Sequence, residues 1–355
     1  MAPIDPVFHV ALTADFYDER GQLKYADVGL DEFAADRRIR VTKFAAHQPE
    51  ITSEQLQSVH GVLVLTPRVT ACSLLGAPDL LAIARFGVGY DSVDVAACTA
   101  ADVLLCITAG AVDHSVAEAT VGWMLALSHH VLVKDRLIRE ARWNDRSGYM
   151  GSELRRRTLG LIGFGGIGRA VLRLVSGFGM AAPLVYDPHV PAEVITRAGA
   201  RPVTLDELLR QSDFVSLHCP LTVQTRNLIG ARELSLMQPT AYLLNTARGG
   251  IVDEAALFDA LKHNRIAGAA LDCFSVEPLP APPPFAELEN VLLAPHSIAW
   301  TNELFQEIGR TACRSLVDLA SGKRPHGMVN PEVLERPGFQ EKWKRLRLEP
   351  AESTA

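Results

Sequence analysis

Residues Leu159 to Arg169 read LGLIGFGGIGR, an apolar run that ends in G-x-G-x-x-G at Gly163, Gly165 and Gly168. A helical pattern, Ala170 to Phe178, follows it. No other stretch restricts the fold so tightly. Gly163 permits a tight strand-to-helix turn, Gly165 lets the backbone approach a pyrophosphate, and Gly168 lets helix and strand pack closely. The free N–H groups of the helix's first turn would then hold that pyrophosphate. The next strand-like run, Pro183 to Tyr186, ends at Asp187, which is 24 positions after Gly163. An acidic residue at about this distance accepts hydrogen bonds from ribose hydroxyls and repels a 2′-phosphate, so the spacing predicts NAD over NADP. Arg169, a cation near the phosphates, tempers that selectivity, and Asp187 taken alone also reads as a turn residue before Pro188.

The surrounding segments extend the same rhythm. LGLIG, PLVYD, DFVSLH, AYLLN, GAALD and VLLAP are strand-like, with helical segments between most of them, as a doubly wound dinucleotide-binding sheet requires. Before the glycine turn, Phe8 to Leu12, Gly61 to Leu65 and Leu81 to Phe86 are short apolar runs, and Thr52 to Ser58 has a helical pattern. This βαβ order implies a second, mostly parallel sheet. Ser115 to Trp143 reads as one long helix with Met124, Leu127 and Val131 on one stripe, and Thr301 to Ser321 as a closing helix. The tail from Pro331, with Lys342, Lys344, Arg345 and Arg347 among acidic residues, reads as a solvated extension.

Composition removes several function classes. Lys plus Arg is 35 and Asp plus Glu is 41, a formal net charge of −6, with no long basic run. Nucleic acid is therefore not the expected partner. The longest apolar stretch, Ala119 to Ser128, falls well short of the ~20 residues of a membrane span. The first ten residues carry no basic region followed by an apolar run, so no secretory signal is expected. Six scattered cysteines without CxxC spacing read as reduced thiols of a cytoplasmic protein, and no metal is expected.

Three segments place polar residues just after strand-like runs: Asn245 to Gly250, Asp272 to Pro278, and Ala294 to Ser297. Ligands of open α/β sheets bind at the carboxyl ends of the strands, so Arg248, Glu277 and His296 fall on the ligand side. Together they suit reduction of a 2-keto acid. Arg248 can bind a carboxylate with two parallel hydrogen bonds. His296 can give a proton to the carbonyl oxygen as hydride reaches the carbon. Glu277 beside it would favour the imidazolium. Singly, each has a duller reading: a satisfied loop histidine, a solvated turn glutamate, an arginine paired with a neighbouring acid.

The chain resembles the D-isomer-specific 2-hydroxyacid dehydrogenase family, from about Val59 to Pro331. The resemblance is carried by RFGVGYDSVD (Arg85 to Asp94), SVAEAT (Ser115 to Thr120), TLGLIGFGGIG, HCPLT (His218 to Thr222), NTARGGIVDE, LDCFSVEP and APHS. It implies an α/β fold of two Rossmann-like, doubly wound parallel-sheet domains with a cleft between them. Residues 1–108 and 301–355 would form a discontinuous substrate domain, and 109–300 the NAD domain. By position, Arg248, Glu277 and His296 match the catalytic arginine, the histidine-tuning glutamate and the acid/base histidine. Val88 and Gly89 match the loop whose amides hold the substrate carboxylate. Gly166, Ile167 and Asp187 fall where pyrophosphate and ribose lie, Cys219 and Pro220 at the edge of the adenine pocket. Thr120, Thr246, Ala247 and Asp272 match contacts on the nicotinamide side. A small 2-keto or 2-hydroxy acid is the implied partner, and a homodimer joined through the region starting at SVAEAT the implied assembly.

Some positions depart from the family pattern. Ile107-Thr108-Ala109-Gly110 replaces a frequent Asn-Thr-Pro-Gly, and Ser297-Ile298-Ala299-Trp300 replaces small residues after the histidine. Trp300 either intrudes on the substrate cleft or packs structurally. Arg68 either reads a second anionic group or is solvated. Glu277 stands where formate dehydrogenases carry glutamine, which argues against that activity. Two other readings use the same scaffold, a nucleotide-sensing corepressor and a phosphite-type oxidation.

Overall fold

The short aliphatic runs become parallel strands buried on both faces, which is why they lack the alternating pattern of a half-exposed sheet. The computed structural model describes residues 7–34 and 36–348. Two compact units make up the chain, Met1–Val112 with Thr301–Ala355 and Asp113–Trp300.

The first unit is built on strands β1 (Phe8–Leu12), β2 (Ile39–Lys43), β3 (Gly61–Val64), β4 (Ala82–Arg85) and β5 (Leu104–Cys106). Helices α1 (Asp31–Ala34), α2 (Ala71–Leu74) and α3 (Val95–Ala100) lie between them. All pairings are parallel in the order β2-β1-β3-β4-β5, with Val10 facing Gly61 and Gly61 facing Ala82 in register. One core holds Val62, Val64, Ile83 and Leu105 against Leu56, Leu74, Leu80 and Cys98.

The second unit carries strands β6 (Leu159–Ile162), β7 (Leu184–Tyr186), β8 (Arg201–Pro202), β9 (Phe214–Leu217), β10 (Tyr242–Asn245), β11 (Gly268–Leu271) and β12 (Val291–Leu293). Its helices are α4 (Asp113–Ser128), α5 (Val131–Arg139), α6 (Gly166–Leu174), α7 (Ala192–Arg197), α8 (Leu205–Gln211), α9 (Ala231–Leu236) and α10 (Glu254–Lys262). The sheet runs β12-β11-β10-β9-β6-β7-β8, every pair parallel. Strand order reverses between β6 and β9, so their carboxyl ends flank the switch-point crevice where such sheets take ligands. Side chains alternate between two cores. Val215, Leu217, Leu243, Ala269 and Leu271 pack under α8, α9 and α10. Leu159, Leu161, Phe214, Leu244 and Ala270 pack under α4 and α6.

The chain then returns to the first unit through α11 (Asn302–Ala320) and α12 (Pro337–Leu346). Thr301 caps α11 by accepting from the Leu304 amide at 3.0 Å. Leu304, Ile308, Leu316 and Leu319 are buried along it.

Four sequence expectations are corrected. The expected helix from Ser115 to Trp143 is two helices, α4 and α5, bent by 58°. His130 takes a left-handed backbone at φ 53°, and the Ser152 amide donates to the Ser128 carbonyl at 2.8 Å, claiming an acceptor that a continuous helix would need. No single helix among the described residues is long and apolar enough to cross a membrane. Thr52 to Ser58 yields only a 3₁₀ turn, Glu54–Leu56, because the backbone turns extended at Gln57 and left-handed at Ser58, φ 58°. A seventh strand, β8, extends the second sheet beyond the six expected. The tail is docked, not a solvated extension. Phe339 is fully buried, the Trp343 indole donates to Leu319 O at 2.7 Å, and Lys342 Nζ donates to Leu80 O at 2.7 Å and Asp102 O at 3.0 Å. Burial pushes the Lys342 ammonium down to about 8. Residues 349–355 of the tail lie outside the described residues.

Candidate active site

The glycine turn sits at the switch point between β6 and β9. Gly163 has φ 96°, and a Cβ there would lie 2.7 Å from the His218 and Cys219 backbone that leaves β9. A Cβ on Gly168 would meet Gly163 O at 2.5 Å. Gly165 instead faces open space, with nothing within 4 Å of a Cβ. The turn is thus closed where helix meets strand and open where a diphosphate would lie, above the first-turn amides of Gly166, Ile167 and Gly168 in α6. These residues fit the dinucleotide expected for them.

Asp187 directly follows β7, beside this turn. Its Oδ2 accepts from the Phe164 amide at 2.8 Å and its Oδ1 from the His189 amide at 2.8 Å. Each oxygen keeps a further lone pair for a ribose hydroxyl. Across the crevice, burial pushes the Cys219 thiol up to about 11, with the Asp187 charge adding to the effect; Pro220 next to it is exposed. Arg169 is held by the turn itself, its Nε donating to Phe164 O at 3.1 Å and its guanidinium over the Phe164 ring at 4.9 Å.

At the end of β10, Asn245 shapes the next loop. Its side chain accepts from the Ala247 amide at 3.1 Å and donates to Arg248 O at 2.9 Å, an Asx-type turn that holds the backbone of the Arg248 loop. Arg248 Nη1 donates to Ala247 O at 2.7 Å. Thr246 shares a hydrogen bond of 3.3 Å with Thr120, a fully buried residue of α4. A Cβ on Gly249 would strike Phe274 O at 1.9 Å, so only glycine allows the Arg248 loop to press against the loop after β11.

That second loop carries Glu277. Its Oε1 accepts from the Phe274 amide at 2.8 Å and its Oε2 meets His296 Nδ1 at 2.7 Å. Burial opposes its charge, but the hydrogen bonds from His296 and the Phe274 amide prevail and hold the carboxyl below its ordinary range. His296 has φ 53°, a left-handed backbone that a non-glycine residue holds only where its surroundings enforce it. Asp272 supplies much of that enforcement: its Oδ1 accepts from the Ser297 amide at 2.8 Å and the Ile298 amide at 3.1 Å. Burial raises the Asp272 carboxyl despite these two donors. With Nδ1 engaged by Glu277, the other imidazole nitrogen is the one that can exchange a proton with a substrate.

Within the second unit the structure therefore brings Arg248, Glu277 and His296 to adjacent loops at one sheet edge. Thr120 and Thr246 come together, and Asp187 and Cys219 flank the glycine turn. Val88 and Gly89 lie in the first unit, in the loop after β4. Arg68, also in the first unit, has an exposed side chain and a backbone bridged to Glu50. Trp300 is 55% exposed, so it is not a core packing residue. Two positioning roles escaped the sequence reading, those of Asn245 and of Asp272 as anchor of the His296 loop. A polar residue directly after a buried strand was the available signal for both.

A turn shaped for a diphosphate, with the hydrogen-bonded His296–Glu277 pair and Arg248 on loops of the same sheet, fits a dinucleotide-dependent oxidoreductase. Comparison with known proteins agrees. The family model "D-isomer specific 2-hydroxyacid dehydrogenase, NAD binding domain" matches residues 121–297. A glyoxylate reductase of Korarchaeum cryptofilum is 38% identical over 284 residues, covering 79% of this chain and 85% of its own. A glyoxylate reductase of Thermofilum pendens is 40% identical over 276 residues, 77% of this chain and 81% of its own. The crystal structure of a glyoxylate reductase from Paecilomyes thermophila superposes with a TM-score of 0.77 at 28% identity, covering 91% of this chain and 98% of that one. The chain belongs to the D-isomer-specific 2-hydroxyacid dehydrogenase family. It is an NAD-dependent oxidoreductase that interconverts 2-keto acids and D-2-hydroxy acids.

Proposed function

We propose that the protein reduces a small 2-keto acid such as glyoxylate, with Arg248 binding the substrate carboxylate, His296 donating the proton and Glu277 holding His296. The carrying observation is the 2.7 Å contact between Glu277 Oε2 and His296 Nδ1, on a loop next to that of Arg248. The amides of Val88 and Gly89 would share the carboxylate. Bound NADH supplies the hydride. Arg248 fixes the keto acid by a planar, two-pronged contact, which sets the carbonyl for attack on one face. As the carbonyl oxygen gains charge, His296 releases its proton to it, and the hydroxy acid leaves with neutral imidazole behind. Residues 1–108 with 301–355 serve as substrate domain and 109–300 as NAD domain in this reading.

We further propose a cytoplasmic homodimer. Its support is a run of exposed apolar side chains on and after α5: Leu132 at 55%, Ile138 at 59%, Trp143 at 62% and Met150 at 79% exposure.

The test is NADH oxidation with glyoxylate, hydroxypyruvate, pyruvate and phosphohydroxypyruvate, and NAD reduction with the matching hydroxy acids. Turnover with at least one, reduced by roughly 10²–10⁴-fold in His296→Ala, is expected. No turnover with any of them, or full activity in the variant, overturns the reading. Sedimentation equilibrium gives the subunit number.

A further inference from the structure

Asp113, the first residue of α4, lies against the start of α6. A Cβ built on Gly166 would be 1.9 Å from Asp113 Oδ2, 2.5 Å from its Cγ and 2.7 Å from Oδ1. The whole carboxylate therefore fills the space that any side chain at position 166 would need. Gly166 is also the first residue of α6, where the free amides and the positive end of the helix dipole would receive the cofactor's diphosphate. Among the described residues the Asp113 carboxylate accepts no hydrogen bond and makes no ion pair. Burial pushes its carboxyl up, and Arg173, further along α6, partly offsets this. An anion with no donor of its own stands beside the place built for another anion.

We infer that Asp113 is the resident counter-charge of the α6 N terminus and that it limits the affinity for NAD(H) and speeds its release. In the free enzyme its carboxylate is favoured by the helix dipole. When the diphosphate arrives, the same carboxylate becomes a like charge at short range. Like-charge repulsion damped by partly solvated surroundings is expected to change binding by about a factor of ten. The proposal concerns cofactor affinity alone and does not depend on which keto acid is reduced.

The experiment measures NADH, ADP-ribose and adenosine binding by calorimetry, with NADH dissociation followed by stopped-flow fluorescence. Wild type, Asp113→Asn, Asp113→Ser and Asp113→Glu are compared, each checked by thermal melting. Both neutral variants are expected to bind NADH and ADP-ribose about tenfold more tightly, with slower release, and adenosine unchanged because it has no diphosphate. The gain should shrink in 1 M salt, where the Debye length is about 3 Å, and Asp113→Glu should stay close to wild type. Equal or weaker NADH binding in a folded neutral variant overturns the inference. So does an equal gain for adenosine, which would make the effect one of packing rather than charge.

Discussion

Replacing Glu277 by glutamine tests the acid/base pair without changing its size. In the native arrangement Oε1 accepts from the Phe274 amide and Oε2 from His296 Nδ1–H, so both positions require an acceptor. Glutamine has only one. If its oxygen keeps the Phe274 amide, its NH₂ group faces Nδ1, and the imidazole must then accept there, which suits the neutral ring and opposes the imidazolium. If the amide flips, the Phe274 N–H loses its partner. The charge is lost either way. A hydrogen bond to a charged group is worth roughly 1.5–3 kcal/mol. With side chains 44% and 34% exposed, solvent screening takes the lower end, about tenfold in rate. The sign follows from which form works. Reduction needs the imidazolium that the Glu277 carboxylate supports, so the reductive rate should fall, most on the alkaline side of its profile. Oxidation needs neutral imidazole, so its rate should fall less. Glu277 itself is held below its ordinary range and stays ionised throughout. The assay is kcat and kcat/KM from pH 5 to 9 in both directions, with deuterated NADH to establish that hydride transfer limits the rate. Equal rates for variant and wild type across that range, under a full isotope effect, would refute the pairing.

Arg248→Lys keeps the charge but loses the planar fork; kcat/KM for the keto acid should fall about 10–100-fold, a loss of roughly 1.5–3 kcal/mol, while NADH affinity by calorimetry changes little. Wild type should prefer NADH over NADPH by at least about tenfold in kcat/KM, and Asp187→Ser should narrow that ratio while weakening both cofactors, since the Phe164 amide also loses its acceptor. Burial pushes His218 down to about 4 from its ordinary 6.5, so the unfolded chain binds the extra proton between those values. Its stabilising contribution is therefore complete above about pH 6.5 and lost as pH falls toward 4, worth about 3 kcal/mol; urea unfolding from pH 7 to 4.5 should show a shallower acid loss in His218→Asn.

The parts of the fold that were legible are those whose residues do one job. β6, β9 and β11 are fully buried, and β10 is buried except for its half-buried first residue, Tyr242, so their composition had no solvent face to accommodate and read plainly as strands. β2, whose IRVTK carries three exposed positions, and the two-residue β8 had no such signature. The break between α4 and α5 could not be read from periodicity. It depends on the Ser152 amide reaching the Ser128 carbonyl, a contact across 24 residues of chain that leaves the local apolar pattern unchanged. Burial of the tail was hidden for a related reason. Lys342 looks like a solvated charge until three backbone carbonyls, from Leu80, Ala101 and Asp102, are seen to surround its ammonium.

The site divides along the same line. Side chains able to bind a carboxylate or move a proton near neutrality, such as Arg248 and His296, were conspicuous in the sequence because few other residue types can do either. Residues that act by holding others were not. Asp272 looks like a ligand contact by position, yet its Oδ1 is spent on the Ser297 and Ile298 amides, which fix the left-handed turn at His296. Asp113 is 53 positions before Gly166 and belongs to no glycine motif. Only the space left by a missing Cβ reveals that the two share one place. A glycine motif therefore specifies where a backbone must come close. It does not say which neighbouring side chain will occupy the room that glycine leaves, and here that room holds a negative charge beside a site made for one.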